Sequence, residues 1–274
     1  MKLPTRINKI SPAYDLEVGV YPPSGFLQFD EANLGNGDYF GLYWEFGKEM
    51  QEPVVCEMIH DEGRIVPCFS SLDKFLEWYE LNDFDWGEKE IVDQDFVYHY
   101  INKGNDYLKQ NKPEQAIEKY KKSVQSLGEI SENWFKLATQ QKRIGNEVDF
   151  QQSILNAILS NWAIEFPSQN AIRLFKGLKP VSELNDHPLI RNREKLEFSF
   201  GGKKENNDYR VLRDIIDELG EREDFRSTLL LEQNYATMMY WETSAFQERY
   251  GFHLEEWKAK FKSDTEERLN RKLV

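Results

Sequence analysis

Four histidines, two cysteines and a scatter of carboxylates are the side chains of this 274-residue chain that could hold a metal, move a proton or attack a carbonyl. Their spacing argues against each of these. His60, His99, His187 and His253 are dispersed. Glu57 and His60 stand on an expected strand at a spacing that sends them to opposite faces, so they cannot share a metal. His253-Leu254-Glu255-Glu256 lacks the second histidine that a zinc-hydrolase helix carries. Gly35-Asn36-Gly37 with Gly41 has the glycines of a phosphate loop but not its spacing. No helix follows, and Asp38 would repel phosphate, so a turn is expected. Gly-x-Ser-x-Gly is absent, and neither Cys56 nor Cys68 has an evident histidine partner. Acidic pairs such as Asp61-Glu62 fall in turns, where solvated carboxylates are the usual reading. The chain reads as a non-enzyme with no cofactor and no metal.

Recognition chemistry remains. Tyr39, Tyr43, Trp44 and Phe46 crowd one expected strand, Tyr39 to Phe46. Alternation puts Tyr39, Gly41 and Tyr43 on one face and Phe40, Leu42 and Trp44 on the other. One face must be core. The other, flanked by Asp38, Glu45 and Glu49, is either a mixed aromatic and acidic binding surface or a second face covered by neighbouring elements. With the turn carboxylates, the candidate partner-binding set is Asp38, Tyr39, Tyr43, Trp44, Glu45, Glu49, Asp61 and Glu62. Charge sharpens this. Residues 1–96 carry 20 acidic and 7 basic side chains, and the remainder 28 of each, so the whole net charge of −13 lies in the first third. Such a surface either keeps the domain soluble or steers a basic partner, and it disfavours direct nucleic-acid binding.

The elements that position these residues can be read in order. A Gly-Asn-Gly-Asp turn leads into the aromatic strand. A second apolar run, Pro53 to Ile59, ends in the turn His60-Asp61-Glu62-Gly63. A third strand, Arg64 to Phe69, meets Ser70-Ser71, which can cap a helix carrying Phe75, Leu76 and Trp78. Turn, strand, strand and "S-x-x-x-F-L" helix in this order resemble the SUKH superfamily, the fold of a yeast cell-wall-synthesis regulator and of many bacterial toxin-immunity proteins. The resemblance implies a bacterial protein that acts by binding, neutralising a toxin effector such as a basic nuclease domain.

Residues 97–128 resemble a tetratricopeptide repeat. With Val97 as position 1, Tyr100 stands at 4, Gly104 at 8, Tyr107 at 11, Ala116 at 20, Tyr120 at 24 and Ser123 at 27. Gly104 and Ala116 are small where two antiparallel helices cross, with Tyr107 and Tyr120 filling the gap beside them. Pro113 suits a first helical turn. A weaker copy follows from Ser131 through Trp134, Leu137, Ala138, Gly145, Ile154 and Ala157. Its Phe150 replaces a small residue, so a splayed or offset pair is expected. Asn161 to Lys179 could begin a third, degenerate copy. The first helix of each such pair lines a groove, whose outward positions are Tyr98, Ile101, Asn105, Leu108 and Lys109, then Phe135, Thr139, Lys142 and Arg143. Asn105 matches an asparagine that some members of that family use on a peptide carboxylate, but Ile101 stands where their lysine does, so a generic peptide or protein groove fits better.

Further on, Val211, Leu212, Ile215, Ile216 and Leu219 form an amphipathic stripe ended by Gly220. A long aromatic run from Phe225 to Tyr250 stops at Gly251, and a last helix spans Leu254 to Leu273. Turn-rich connectors are expected at 82–96 and 200–206. The expected fold is α+β: a small SUKH-like antiparallel-sheet-plus-helix domain (1–90), then an all-α tetratricopeptide-like array (96–165) with a helical C-terminal extension or cap (166–274). Cys56 and Cys68 could face each other across a hairpin, but no secretory signal is visible, so they are expected to be reduced thiols in a cytoplasmic protein. No apolar run is long enough for a membrane span. The expected role is non-catalytic protein binding, as an immunity protein or, alternatively, as a repeat scaffold or regulator.

Overall fold

The structure, a computed structural model, describes residues 10–12, 20–33, 36–83, 87–201 and 207–273. Among these, five strands come first: β1 (Ile10–Pro12), β2 (Phe26–Asn33), β3 (Tyr39–Tyr43), β4 (Val54–Ile59) and β5 (Arg64–Phe69). Helices follow: α1 (Leu72–Leu81), α2 (Val97–Lys109), α3 (Pro113–Ser126), α4 (Ser131–Arg143), α5 (Glu147–Ile158) and α6 (Gln169–Lys176). The last are α7 (Pro188–Asn192), α8 (Asp208–Glu221), α9 (Phe225–Tyr240), α10 (Ser244–Arg249) and α11 (Leu254–Leu273). The chain forms two compact units, Met1–Phe96 together with Leu254–Val274, and Val97–His253. The 84–86 and 202–206 parts of the expected connectors lie outside the described residues.

In the first unit the strands pair with their sequence neighbours, all antiparallel, in the order β1-β2-β3-β4-β5. Ser24-Gly25 turns the chain into β2, with Gly25 at φ +93, a left-handed conformation that glycine adopts without strain. Ser71 caps α1 by accepting from the Lys74 amide at 3.3 Å. The face of α1 that this start angle presents packs on the sheet through aromatics: Phe75 lies 5.2 Å from Phe29 and 5.1 Å from Phe40 between ring centroids, and Trp78 lies 5.6 Å from Phe40. On β3, a side chain at Gly41 would put its Cβ 2.4 Å from the Leu27 carbonyl oxygen and 2.5 Å from the Phe26 ring, so that position is closed by β2. A register shift between Val55 and Cys56 sets Cys56 opposite Pro67, not Cys68. The two thiols are free and do not face each other. Burial pushes the Cys68 thiol up to about 12.

The connector after α1 is not a loose linker. Asn82 donates to the Lys89 carbonyl and accepts from the Lys89 amide, while Asp93 accepts from the Ser70 amide and hydroxyl, both at 2.7 Å. These bonds hold the described part of 82–96 to the sheet unit, so the boundary falls at Phe96 and not near residue 90. A second difference is larger. α11 belongs with the sheet and not with a C-terminal cap on the helices, because its Phe261, Thr265 and Arg268, spaced one helical turn apart, are buried there or bonded to the β2 and β3 ends.

In the second unit α2 and α3 are antiparallel neighbours, as are α4 and α5, with α3 also against α4. Ala116 and Tyr120 are fully buried, and a Cβ on Gly104 would meet the Tyr120 ring at 2.4 Å. The second pair is not splayed: α4 packs along α5 as extensively as α2 along α3, with Phe150 buried. Beyond it the third copy does not form. Trp162 sits in a turn, and α6 is a single short helix. α8 runs through Gly220 to Glu221, and the aromatic run splits into α9 and α10 at Trp241 to Thr243.

Candidate functional site

The acidic and aromatic strand does not present a partner surface. Tyr43 is 1% exposed and Trp44 5%, with Glu45 and Asp38 also buried; β3 ends at Tyr43. Alternation correctly gave the strand two faces, but both are covered. The covering element on the side of Trp44 and Phe46 comes from the far end of the sequence. Arg268 of α11 donates to the Trp44 carbonyl at 3.1 Å and to Ser24 Oγ at 3.1 Å, ion-pairs with Glu49 at 2.6 Å, and lies 4.0 Å over the Phe46 ring. Thr265 completes the latch by a 3.0 Å hydrogen bond with Ser24. Glu49, expected to face a partner, is an internal counter-charge. Burial would raise its carboxyl, but Arg268 holds it below the usual range. Glu45 is likewise used within the chain, accepting from Lys48 at 2.7 Å.

Asp38 closes the opposite end of the sheet. Its carboxylate accepts from the His60 amide and imidazole Nδ1, each at 2.9 Å, and from Asn36 at 2.7 Å. His60 Nε2 meets Asp61 at 2.9 Å. The two turns meet here because Gly37, at φ +98, lets the backbone approach the imidazole, where a Cβ would lie 2.9 Å from the ring. The imidazole between two carboxylates joins the two turns as a clasp. Burial would raise the Asp38 carboxyl, but the hydrogen bonds from His60 and Asn36 hold it below the ordinary value. The Asp38 hydrogen bond, helped by Asp61, raises the His60 imidazole above its own. A raised folded-state value means that the His60 contribution is fully present below about pH 6.5 and is lost as pH rises through the folded value. The expected result is a His60 ring-proton NMR titration with its midpoint above about 6.5, returning toward that value in Asp38→Asn. An unchanged midpoint in the variant would show that the clasp does not form. Of the eight sheet-side candidates, only Asp61 and Glu62 are well exposed, Asp61 against His60 and Glu62 beside Arg64; Tyr39 is partly buried.

On the helical unit the candidates separate. Ile101 is buried with Ala116, Ile117, Tyr120, Val124 and Leu137, so it belongs to the core between α2, α3 and α4 and not to a groove. Asn105 accepts from the Tyr120 hydroxyl at 2.8 Å, which engages the oxygen of its amide and positions the ring that Gly104 admits. Tyr98, Lys109, Lys142 and Arg143 are exposed, and Phe135 is partly so. Lys142 lies 4.9 Å over the Phe150 ring, and Arg143 donates to Asn111, just beyond α2, at 2.8 Å. That bond ties the end of α4 to the α2–α3 turn.

Sequence reasoning missed Arg268, although Phe261, Thr265 and Arg268 share one stripe of α11 by spacing alone. It also missed the Asp38–His60 bond, which local sequence does not signal because 22 positions separate the partners.

Comparison with known proteins adds a family. The model of the YfbP N-terminal domain matches residues 12–88, and that of the YfbP C-terminal domain residues 199–272. Over 267 residues, 96% of this chain and 95% of the relative, the sequence is 41% identical to the "Uncharacterized protein YfbP" of Escherichia coli (strain K12). Among solved structures, the crystal structure of MamA aligns with a TM-score of 0.28 and 15% identity over 66% of this chain and 82% of that one.

Proposed function

This chain belongs to the YfbP family, and we propose that it is a non-catalytic protein-binding protein whose binding surface is the α2–α4 face of the helical unit. We read α2–α5 as two tetratricopeptide-type pairs, supported by the Gly104–Tyr120 contact and the buried Ala116 at the crossing. The order of β3, β4, β5 and the Ser71-capped α1 supports reading the sheet unit as SUKH-like. The observation that carries the functional choice is where exposed aromatic and cationic side chains remain. On the helices, Tyr98, Lys109, Lys142 and Arg143 are open to solvent beside Phe135. On the sheet, Tyr43, Trp44 and Glu45 are buried and Glu49 is held by Arg268, so toxin neutralisation through that strand has few residues left to carry it. A cationic and aromatic helical face suits an acidic or mixed peptide segment of a partner protein.

The test is capture of a partner from source-cell lysate by the full chain and by two charge variants. The double variant Lys142→Glu, Arg143→Glu is expected to lose the protein that the parent retains, while Asp61→Lys, Glu62→Lys is expected to keep it. The reverse pattern would return the binding site to the acidic turn and favour the inhibitor reading.

A further inference from the structure

A groove of about 600 Å³ runs along α8 against the end of α10, within the helical unit and remote in sequence from α2 and α4. Its walls are charged rather than apolar: Arg210, Arg213, Asp214 and Asp217 come from α8, and Arg249 and Tyr250 from the end of α10. The four α8 residues fall at i, i+3, i+4 and i+7, one continuous stripe. Along it the sign changes from two guanidiniums near the helix start to two carboxylates further on. Arg210 and Asp217 are separated by about 10 Å of helix rise.

Helix stability does not explain this order. An acidic residue followed four positions later by a basic one is the favourable arrangement, and both pairs here, Arg210 with Asp214 and Arg213 with Asp217, run the other way. Arg210 also stands in the first turn, where the helix dipole favours an acid. Among the described residues neither Arg210, Asp214 nor Asp217 has an ion-pair partner. Arg213 donates to the Tyr250 carbonyl at 3.3 Å, and Arg249 lies 5.8 Å over the Phe246 ring, so contacts at the end of α10 help to position both guanidiniums.

We propose that this groove binds a peptide segment carrying an acidic and a basic side chain about three residues apart, the acid at the arginine end and the base at Asp214 and Asp217. Guanidinium forks suit a carboxylate, which two of them can share. A peptide in the polyproline II conformation rises about 3.1 Å per residue with three residues per turn, so side chains at i and i+3 lie on one side about 9 Å apart, close to the length of the stripe. The two aspartates repel a plain polyanion, which separates this site from one for nucleic acid or free phosphate. The site stands independently of whether the α2–α4 face binds a partner.

The probes are N-acetylated, C-amidated tetrapeptides titrated into the full chain and followed by NMR: Glu-Gly-Gly-Lys, Glu-Gly-Gly-Gln and Gln-Gly-Gly-Lys. The first is expected to bind about tenfold tighter than either of the others. Asp217→Asn is expected to remove that advantage without weakening Glu-Gly-Gly-Gln. Arg210→Gln is expected to weaken both glutamate peptides, with far-UV circular dichroism unchanged because the side chain is exposed. Equal binding of Glu-Gly-Gly-Lys and Glu-Gly-Gly-Gln would make this a simple anion site and overturn the proposal. So would the absence of any shift at α8 with the parent protein, or binding by Glu-Gly-Gly-Lys that survives Arg210→Gln and Asp217→Asn unchanged.

Discussion

Gly104→Ala is expected to destabilise the helical unit, although the same exchange in an open helix would stabilise it. On propensity alone alanine gains about 1 kcal/mol over glycine in a helix interior. Here the added Cβ would lie 2.4 Å from Tyr120 Cε1 and 2.7 Å from Cδ1, far inside contact distance. The ring has nowhere to go: Tyr120 is fully buried, and its hydroxyl donates to Asn105 at 2.8 Å. Overpacking of this kind costs about 1–3 kcal/mol or more, so the propensity gain is outweighed. For a unit of this size each lost kcal/mol lowers Tm by about 2–4 °C. Gly104→Leu should be worse. The double variant Gly104→Ala, Tyr120→Leu should lose less than the sum of its singles, since removing the ring removes the clash. A Gly104→Ala protein that melts above the parent would show that the two helices do not meet at this point.

Why Gly104 was legible in the sequence and Trp44 was not has a physical reason. Two helices crossing closely demand a small residue at the crossing, and that demand is local and steric, so Gly104, Ala116 and Tyr120 announce the pair by spacing. Ser71 is similar, since a cap needs only the helix that follows it. Strand alternation at Tyr39 to Trp44 is equally local, but it reports only that there are two faces. Whether the second is wet or covered depends on an element that may come from anywhere in the chain. Here it comes from Arg268, 224 positions beyond Trp44. Ile101 is an outward position of the first helix of a repeat, yet Leu137 of α4 draws it into the core, and that contact lies outside its own helix pair. On α8 the apolar stripe was read and the charged one beside it was not, because nothing in one helix tells which element forms the opposite wall of a groove. The misplaced cap has the same origin: α11 has a helical pattern that does not name its partner.

Deletion of residues 254–274 is therefore expected to unfold the sheet unit and spare the helices of Val97–His253. With α11 gone, the Phe46 ring loses the guanidinium stacked on it, the Trp44 carbonyl loses its donor, and Ser24 loses both Thr265 and Arg268. Phe261, now 1% exposed, leaves with the helix, and an apolar side chain of that size contributes about 1.5–3 kcal/mol of burial. Glu49 loses its cation at the same time, but removal of the helix also opens its carboxylate to water, so that lost pair costs only about 0–1 kcal/mol. Set against the roughly 5–15 kcal/mol that holds a small domain folded, the combined loss of the α11 contacts is large. The truncated chain should show a red-shifted tryptophan emission and dye-accessible apolar surface while keeping strong helical circular dichroism. Arg268→Lys separates the latch from the helix as a whole. A lysine keeps the charge toward Glu49 but cannot serve the carboxylate, the Trp44 carbonyl, Ser24 and the Phe46 face at once, so a partial loss of stability is expected. A truncated chain whose sheet unit melts with the parent's midpoint would place the cover of Trp44 and Phe46 elsewhere, and would remove the reason for calling that strand internal.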